Sequence, residues 1–112
     1  MTLKASYVLF KLYRIYKARK KHKIPQNYIV RFDAISSLQK KFPKISPNDM
    51  YEIFYELKKN NYVTYREYNG SIEKIRLTKE GILYCKQLPK AVISRIFKIT
   101  SALSNRSDQS EL

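Results

Sequence analysis
Near the amino end, apolar residues recur at three- and four-residue steps: Ala5, Val8, Leu9, Leu12, Ile15 and Tyr16. That period puts them on one face of a helix running from about Leu3 to Lys21. Lys4, Lys11, Arg14, Lys17 and Lys21 fall largely on the other side. Pro25 and Gln26-Asn27 break the pattern, and Tyr28-Ile29-Val30 reads as a short strand. A second helix is expected from Asp33, as N-cap, to Phe42, with Ile35, Leu38 and Phe42 facing inward. Pro43 ends it, because the residue before a proline is pushed out of helical geometry.

The third helix has the fullest start signal. Ser46 caps, Pro47 takes the first helical position where a missing N–H costs nothing, and Asp49 completes a Ser-x-x-Asp pattern. Ile45 and Met50 stand at the spacing of a hydrophobic staple. Met50, Ile53, Phe54 and Leu57 supply an i, i+3, i+4, i+7 core face, and Asn60-Asn61 stops the helix in a left-handed turn. Two β-prone runs follow, residues 62–68 and 71–77, joined by Asn69-Gly70, a strong short-range hairpin signature. A two-residue loop pairs Tyr65 with Lys74 and Thr64 with Ile75. One face then carries Val63, Tyr65, Ile72, Lys74 and Arg76, and the other carries Tyr62, Thr64, Ile75 and Leu77. With the Ile75/Leu77 face inside, Tyr65 and Ile72 are left partly exposed among cations. The competing expectation is that they pack under the C-terminal helix.

Thr78 caps a fourth helix to about Gln87. Pro89 starts a fifth, whose stripe is Val92, Ile96, Ile99 and Leu103. That stripe must be covered, either by a second copy in a two-fold dimer or by the chain's own first helix. Residues 104–112 are almost devoid of apolar side chains and read as a mobile tail.

A chain of 112 residues with 44% hydrophobic and 29% charged residues has the composition of one globular domain. Its charge changes the picture. Lys and Arg total 23 against 9 acids, a formal net charge of +14. Residues 1–23 carry eight of those cations and no acid. Such a surplus is drawn to polyanions, nucleic acid before membrane surface. One cysteine and one histidine build neither an internal disulfide nor a zinc site, and two glycines exclude the Gly-rich phosphate loops. No carboxylate cluster has metal-site spacing. A non-enzymatic protein without cofactor is expected. No signal peptide or spanning segment is legible, so the expected location is the cytoplasm, with no membrane partner.

The order helix, short strand, helix, turn, helix, hairpin, helix carries a resemblance, together with the text Tyr51-x-x-x-Tyr55-x-Leu57-Lys-Lys-Asn-Asn-Tyr62-Val63 and Leu77-Thr78-Lys79-Glu80-Gly81. Both resemble small bacterial and phage proteins of the winged helix–turn–helix DNA-binding family, over roughly residues 5 to 88. The implied fold is mainly α with a small antiparallel β-hairpin. The implied organisation is a winged-helix domain over 1–88, an amphipathic helix over 89–103 and the tail. In that family the third helix enters the major groove and the wing touches the backbone or minor groove. The carry-over makes Pro47 to Asn60 the reading helix and Arg66 to Arg76 the wing. The turn Pro43-Lys44-Ile45-Ser46 departs from the family in lacking the glycine often found between the two helices.

Three surfaces are candidates for nucleic-acid binding. The outward face of the third helix offers Asn48, Tyr51, Tyr55 and Lys59, with Glu52 among them, and Lys44 lies just ahead of it. Asp49, Glu52 and Glu56 against Lys58 and Lys59 give this helix a net charge of −1, unfavourable beside phosphates. The wing offers Tyr65, Arg66, Tyr68, Lys74 and Arg76. The basic first helix offers Lys11, Arg14, Lys17, Arg19, Lys20 and Lys21 as a phosphate ramp. Three functions follow as expectations: a small transcription regulator on duplex DNA, a replication or mobile-element accessory protein holding single strands through tyrosines and cations, and a protein-interaction module. Cys85 is expected to pack as a small apolar group.

Overall fold
Thr2 begins the first helix: its Oγ accepts the Ala5 N–H at 3.1 Å, and helix α1 runs Leu3–Lys21. Arg19, Lys20 and Lys21 fill the last turn, where the negative end of the helix dipole favours cations. A computed structural model describes residues 1–96 and 98. The expected stripe of α1 is buried except Ile15, which is half-buried; Ser6, Tyr7 and Tyr13 are buried as well. The helix is covered on more than one side, by the elements described below.

After Pro25 the chain departs from the expected strand at 28–30. The Pro25 carbonyl accepts the N–H groups of Tyr28 (2.9 Å) and Ile29 (3.3 Å), which commits them to a helical turn, α2, Gln26–Ile29. The strand, β1, is Arg31–Phe32. Helix α3 is Ile35–Gln39, shorter than expected, and its N-cap is Ala34 rather than Asp33. The Asp33 carbonyl instead accepts the Ile75 N–H at 3.1 Å, continuing the sheet edge. The turn that lacks a glycine is closed by a side chain: Gln39 Nε2 donates to the carbonyls of Phe42 (3.3 Å) and Ile45 (2.5 Å).

Helix α4, Pro47–Lys59, starts as its sequence signals require, with Ser46 Oγ accepting the Asp49 N–H at 3.2 Å. Met50, Ile53, Phe54 and Leu57 are its buried face, and Asn61 adopts φ +63° to end it. Strands β2 (Val63–Tyr68) and β3 (Ser71–Leu77) form the hairpin around Asn69-Gly70. The sheet is antiparallel with order β1-β3-β2, so β3 is central. The fold is mainly helical with this small sheet.

The hairpin register differs from the expected one. Tyr68 faces Ser71 and Arg66 faces Glu73, but Thr64 faces Arg76 rather than Ile75. Between them β3 carries one extra residue, and Lys74 takes φ +53°. A bulge of this kind flips the alternation. It lets Ile72 and Ile75, three apart, both point inward, along with Val63, Tyr65 and Leu77. The conflict between two apolar faces is resolved by placing both on the core. Tyr65 and Ile72 are therefore buried, against the expectation of partial exposure.

Helix α5, Lys79–Lys86, is capped by Thr78, whose Oγ accepts the Gly81 N–H (2.9 Å) and donates to the Asn61 carbonyl (2.6 Å). Residues 90–96 are helical again, with the Pro89 carbonyl accepting from Val92 and Ile93. Ile96 is 1% exposed and Val92 is half-buried on the core. Ile96 shares a groove with Tyr7, Phe10 and Ile15 of α1, so this position of the expected dimer stripe is covered within one chain. Ile99, Leu103 and the 104–112 tail lie outside the described residues.

Candidate nucleic-acid interface
On α4 the outward positions sit as the helical period places them. Asn48, Glu52 and Lys59 are exposed, Tyr55 is 49% exposed and Tyr51 is half-buried. Two of its three acids point elsewhere. Asp49 pairs with Lys4 Nζ at 3.3 Å, and Glu56 accepts from the Thr2 N–H (2.9 Å) and Thr2 Oγ (3.4 Å). Both carboxylates thus hold the amino end of α1, leaving Glu52 with Lys58 and Lys59. Lys44 is exposed in the turn ahead of α4.

The wing separates into a buried and an exposed part. Tyr65 lies against α4, its ring 6.5 Å from that of Tyr55 and 4.4 Å from Lys58 Nζ. Burial, with the charge of Glu67 beside it, pushes its phenol up to about 12. Among the described residues the partner of Tyr65 is α4. At the tip, Arg66 donates to Tyr68 Oη at 3.4 Å, and Tyr68 is 43% exposed. That hydrogen bond and the charge of Lys74 lower the Tyr68 phenol from its ordinary value.

Along α1 the ramp divides into clasps and exposed cations. Lys11 Nζ donates to the Lys41 carbonyl at 3.3 Å and lies 5.2 Å from the Phe42 ring centre, tying α1 to the turn after α3. Partial burial, then the charges of Lys41 and Arg14, lower its pKa. Arg14 is exposed. Lys17 and Lys20 lie over the rings of Tyr13 (5.5 Å) and Tyr16 (6.0 Å). With Lys21 and Lys86 they surround a shallow depression of about 330 Å³. Arg19 is a brace: its guanidinium donates to the carbonyls of Tyr28 (3.2 Å) and Arg31 (2.5 Å) and covers the Phe32 ring at 4.7 Å.

The brace exposes a feature that sequence reasoning missed. β1 and β3 bring Arg31 directly opposite Arg76, both exposed, while Phe32 and Ile75 beside them are buried. Arg19, Arg31, Lys74 and Arg76 line one groove of about 620 Å³, with Tyr28 at its rim and Asp33 and Glu73 among the lining. Placing the strand at 28–30 hid this, since the arginine then falls outside the ladder.

Cys85 is 3% exposed, its Sγ 4.0 Å from the Leu9 carbonyl, and burial pushes the thiol up to about 12. An aromatic disulfide reagent at about pH 8 is therefore expected to leave Cys85 unmodified in the folded protein and to react once guanidinium unfolds it, because only the thiolate attacks. Fast reaction in buffer would place the thiol at the surface. Among the described residues no group of three or more His, Cys, Asp and Glu could hold a metal ion. No described helix is long and apolar enough to cross a membrane. Comparison of the chain with protein-family models, curated proteins and solved structures gives no match.

Proposed function
We propose that this chain is a non-enzymatic DNA-binding protein of winged helix–turn–helix type, a small cytoplasmic regulator that acts on duplex DNA without a cofactor. α4 lies in the major groove, the Arg66–Tyr68 tip rests on the backbone, and the basic end of α1 attracts phosphate. The element order and the β1-β3-β2 sheet support this architecture. The observation that carries the reading is the direction of the α4 carboxylates. With Asp49 and Glu56 held by the start of α1, the face bearing Asn48, Tyr55 and Lys59 keeps one acid of its own, Glu52, beside Lys59. The single-strand reading loses one of its platforms, since the buried ring of Tyr65 cannot stack a base.

The test is binding of the full chain to a duplex and to a single strand of equal length across salt. The expected result is duplex preference, with log K falling by about 0.9 per phosphate contacted for each log unit of salt. Asn48→Ala or Lys59→Ala should cost about 1–3 kcal/mol on the preferred duplex. Failure to bind either polymer at about 50 mM salt overturns the proposal in favour of a protein-interaction module.

A further inference from the structure
Like charges directly opposite on neighbouring strands destabilise a sheet, since their Cβ atoms stand about 5 Å apart. Arg31 and Arg76 are such a pair, one on each side of the β1–β3 ladder. Among the described residues neither Arg31, Lys74 nor Arg76 makes a hydrogen bond or ion pair with a carboxylate. The backbone placement of the pair is fixed, because Arg19 donates to the Arg31 carbonyl and covers the buried Phe32 ring beside it. Lys74, at the bulge and in a left-handed conformation, lines the same groove.

Beside these cations stands an aromatic ring without a hydrophobic reason to be there. Tyr28 is 58% exposed, with the Arg31 guanidinium 5.7 Å from its ring centre. Ile24, 38% exposed, lines the same groove. Guanidinium groups that meet anions in a fork, next to an exposed ring on which a base can stack, are what one unpaired nucleotide needs. Asp33 and Glu73 stand among the lining as acceptors for the amino or hydroxyl groups of that nucleotide. The volume of about 620 Å³ lies within the range of small-ligand sites.

We infer that the β1–β3 groove seats an unpaired nucleotide of a nucleic-acid strand, its phosphate on Arg31 and Arg76 and its base on Tyr28. This rests on the DNA-binding reading and extends it: the chain engages duplex through α4 and a frayed or single-stranded segment through the groove. A strand is favoured over a free mononucleotide because Lys23, exposed and next in the chain to the groove residue Ile24, offers a further cation beside the groove.

The experiment measures full-chain binding to three fluorescent probes: a blunt duplex, the same duplex with a short single-stranded overhang, and the overhang alone, with deoxyadenosine monophosphate as competitor. The overhang should tighten binding. Tyr28→Ala should remove that gain, weakening overhang binding about tenfold, while leaving the blunt duplex unchanged and Tyr28→Phe close to the parent. Arg31→Ala and Arg76→Ala should each weaken overhang binding and lower its salt slope by about 1, yet keep or raise the melting temperature, since each relieves the like-charge pair. The mononucleotide should compete only at concentrations far above the strand. The inference is overturned if the blunt duplex binds and the overhang adds nothing, if the Tyr28 and arginine variants behave as the parent, or if the mononucleotide competes as well as the strand. Absence of binding to all three probes is the separate result that defeats the DNA reading itself.

Discussion

Gly81→Ala is expected to destabilise the protein by about 2 kcal/mol, the opposite sign from its usual effect in a helix. Ala is normally favoured over Gly in a helix by about 1 kcal/mol. Here a Cβ on Gly81 would overlap the Tyr62 carbonyl oxygen and meet Leu77 Cδ1 at 3.0 Å. The carbonyl cannot step aside, because it accepts the Thr78 N–H at 3.1 Å and so joins the end of α4 to the start of α5. Moving α5 outward would also pull Thr78 from Asn61 and loosen the Tyr62–Tyr84 stack, whose centroids are 4.6 Å apart. Overlap with a backbone atom that cannot move sits at the upper end of overpacking costs, about 3 kcal/mol, and outweighs the propensity gain. Thermal unfolding should fall by roughly 10 °C. Gly70→Ala is the control: Gly70 has φ +80° with nothing within 4 Å, so only backbone strain opposes the methyl group, at about 1 kcal/mol. A Gly81→Ala variant that melts at or above the parent would mean that α5 stands clear of Tyr62.

The same contact explains which parts of the fold were legible in the residues. Leu77-Thr78-x-x-Gly81 is local in its cap, where Thr78 takes the Gly81 N–H within one turn, so the start of α5 is readable without tertiary knowledge; the bridge to Asn61 and the close approach to Tyr62 are not. Ser46-Pro47 is readable for the same reason. Two other features escape the residue pattern. The strand at 28–30 shifted to Arg31–Phe32 because the Pro25 carbonyl takes the N–H groups of Tyr28 and Ile29, a competition that strand propensity does not register. The bulge at Lys74 is chosen by burial of Ile72 and Ile75 together, and a non-glycine residue at positive φ leaves no mark in the sequence.

Those two misplacements are also why the candidate site was only half visible. Exposure of Asn48, Tyr55 and Lys59 follows from helical period alone. The direction of Asp49 and Glu56 does not, because it is set by Lys4 and Thr2, which lie more than forty residues away in the chain. Counting charge on α4 treated all three acids as equal, although two serve the α1 junction. Arg19, Lys11 and Lys17 were readable as cations but not as a backbone brace, a clasp and a ring cover. The Arg31–Arg76 pair needed both the true strand position and the ladder register.

Alkaline titration should unfold the protein through groups that prefer to stay neutral. Tyr65 is pushed up to about 12 by burial, and Cys85 likewise, from ordinary values of 10.0 and 9.0; Tyr13 and Tyr62 move in the same direction. Between the ordinary and raised values the unfolded chain has released these protons while the folded chain keeps them. Stability contributed by the neutral groups is therefore complete below about pH 9 and falls as pH rises toward 12. Each tenfold change in proton affinity is worth about 1.4 kcal/mol, so Tyr65 alone accounts for up to about 3 kcal/mol over that window. Loss of positive charge in alkali works against this trend, since it relieves the self-repulsion of a +14 chain. That contribution is common to parent and variant, so the difference isolates the phenol. Urea unfolding at about pH 8 and about pH 11 should show Tyr65→Phe losing markedly less stability between the two than the parent does. Equal losses would mean that the Tyr65 hydroxyl titrates as freely in the folded protein as in the unfolded chain, and that the ring is not held under Lys58 and Tyr55.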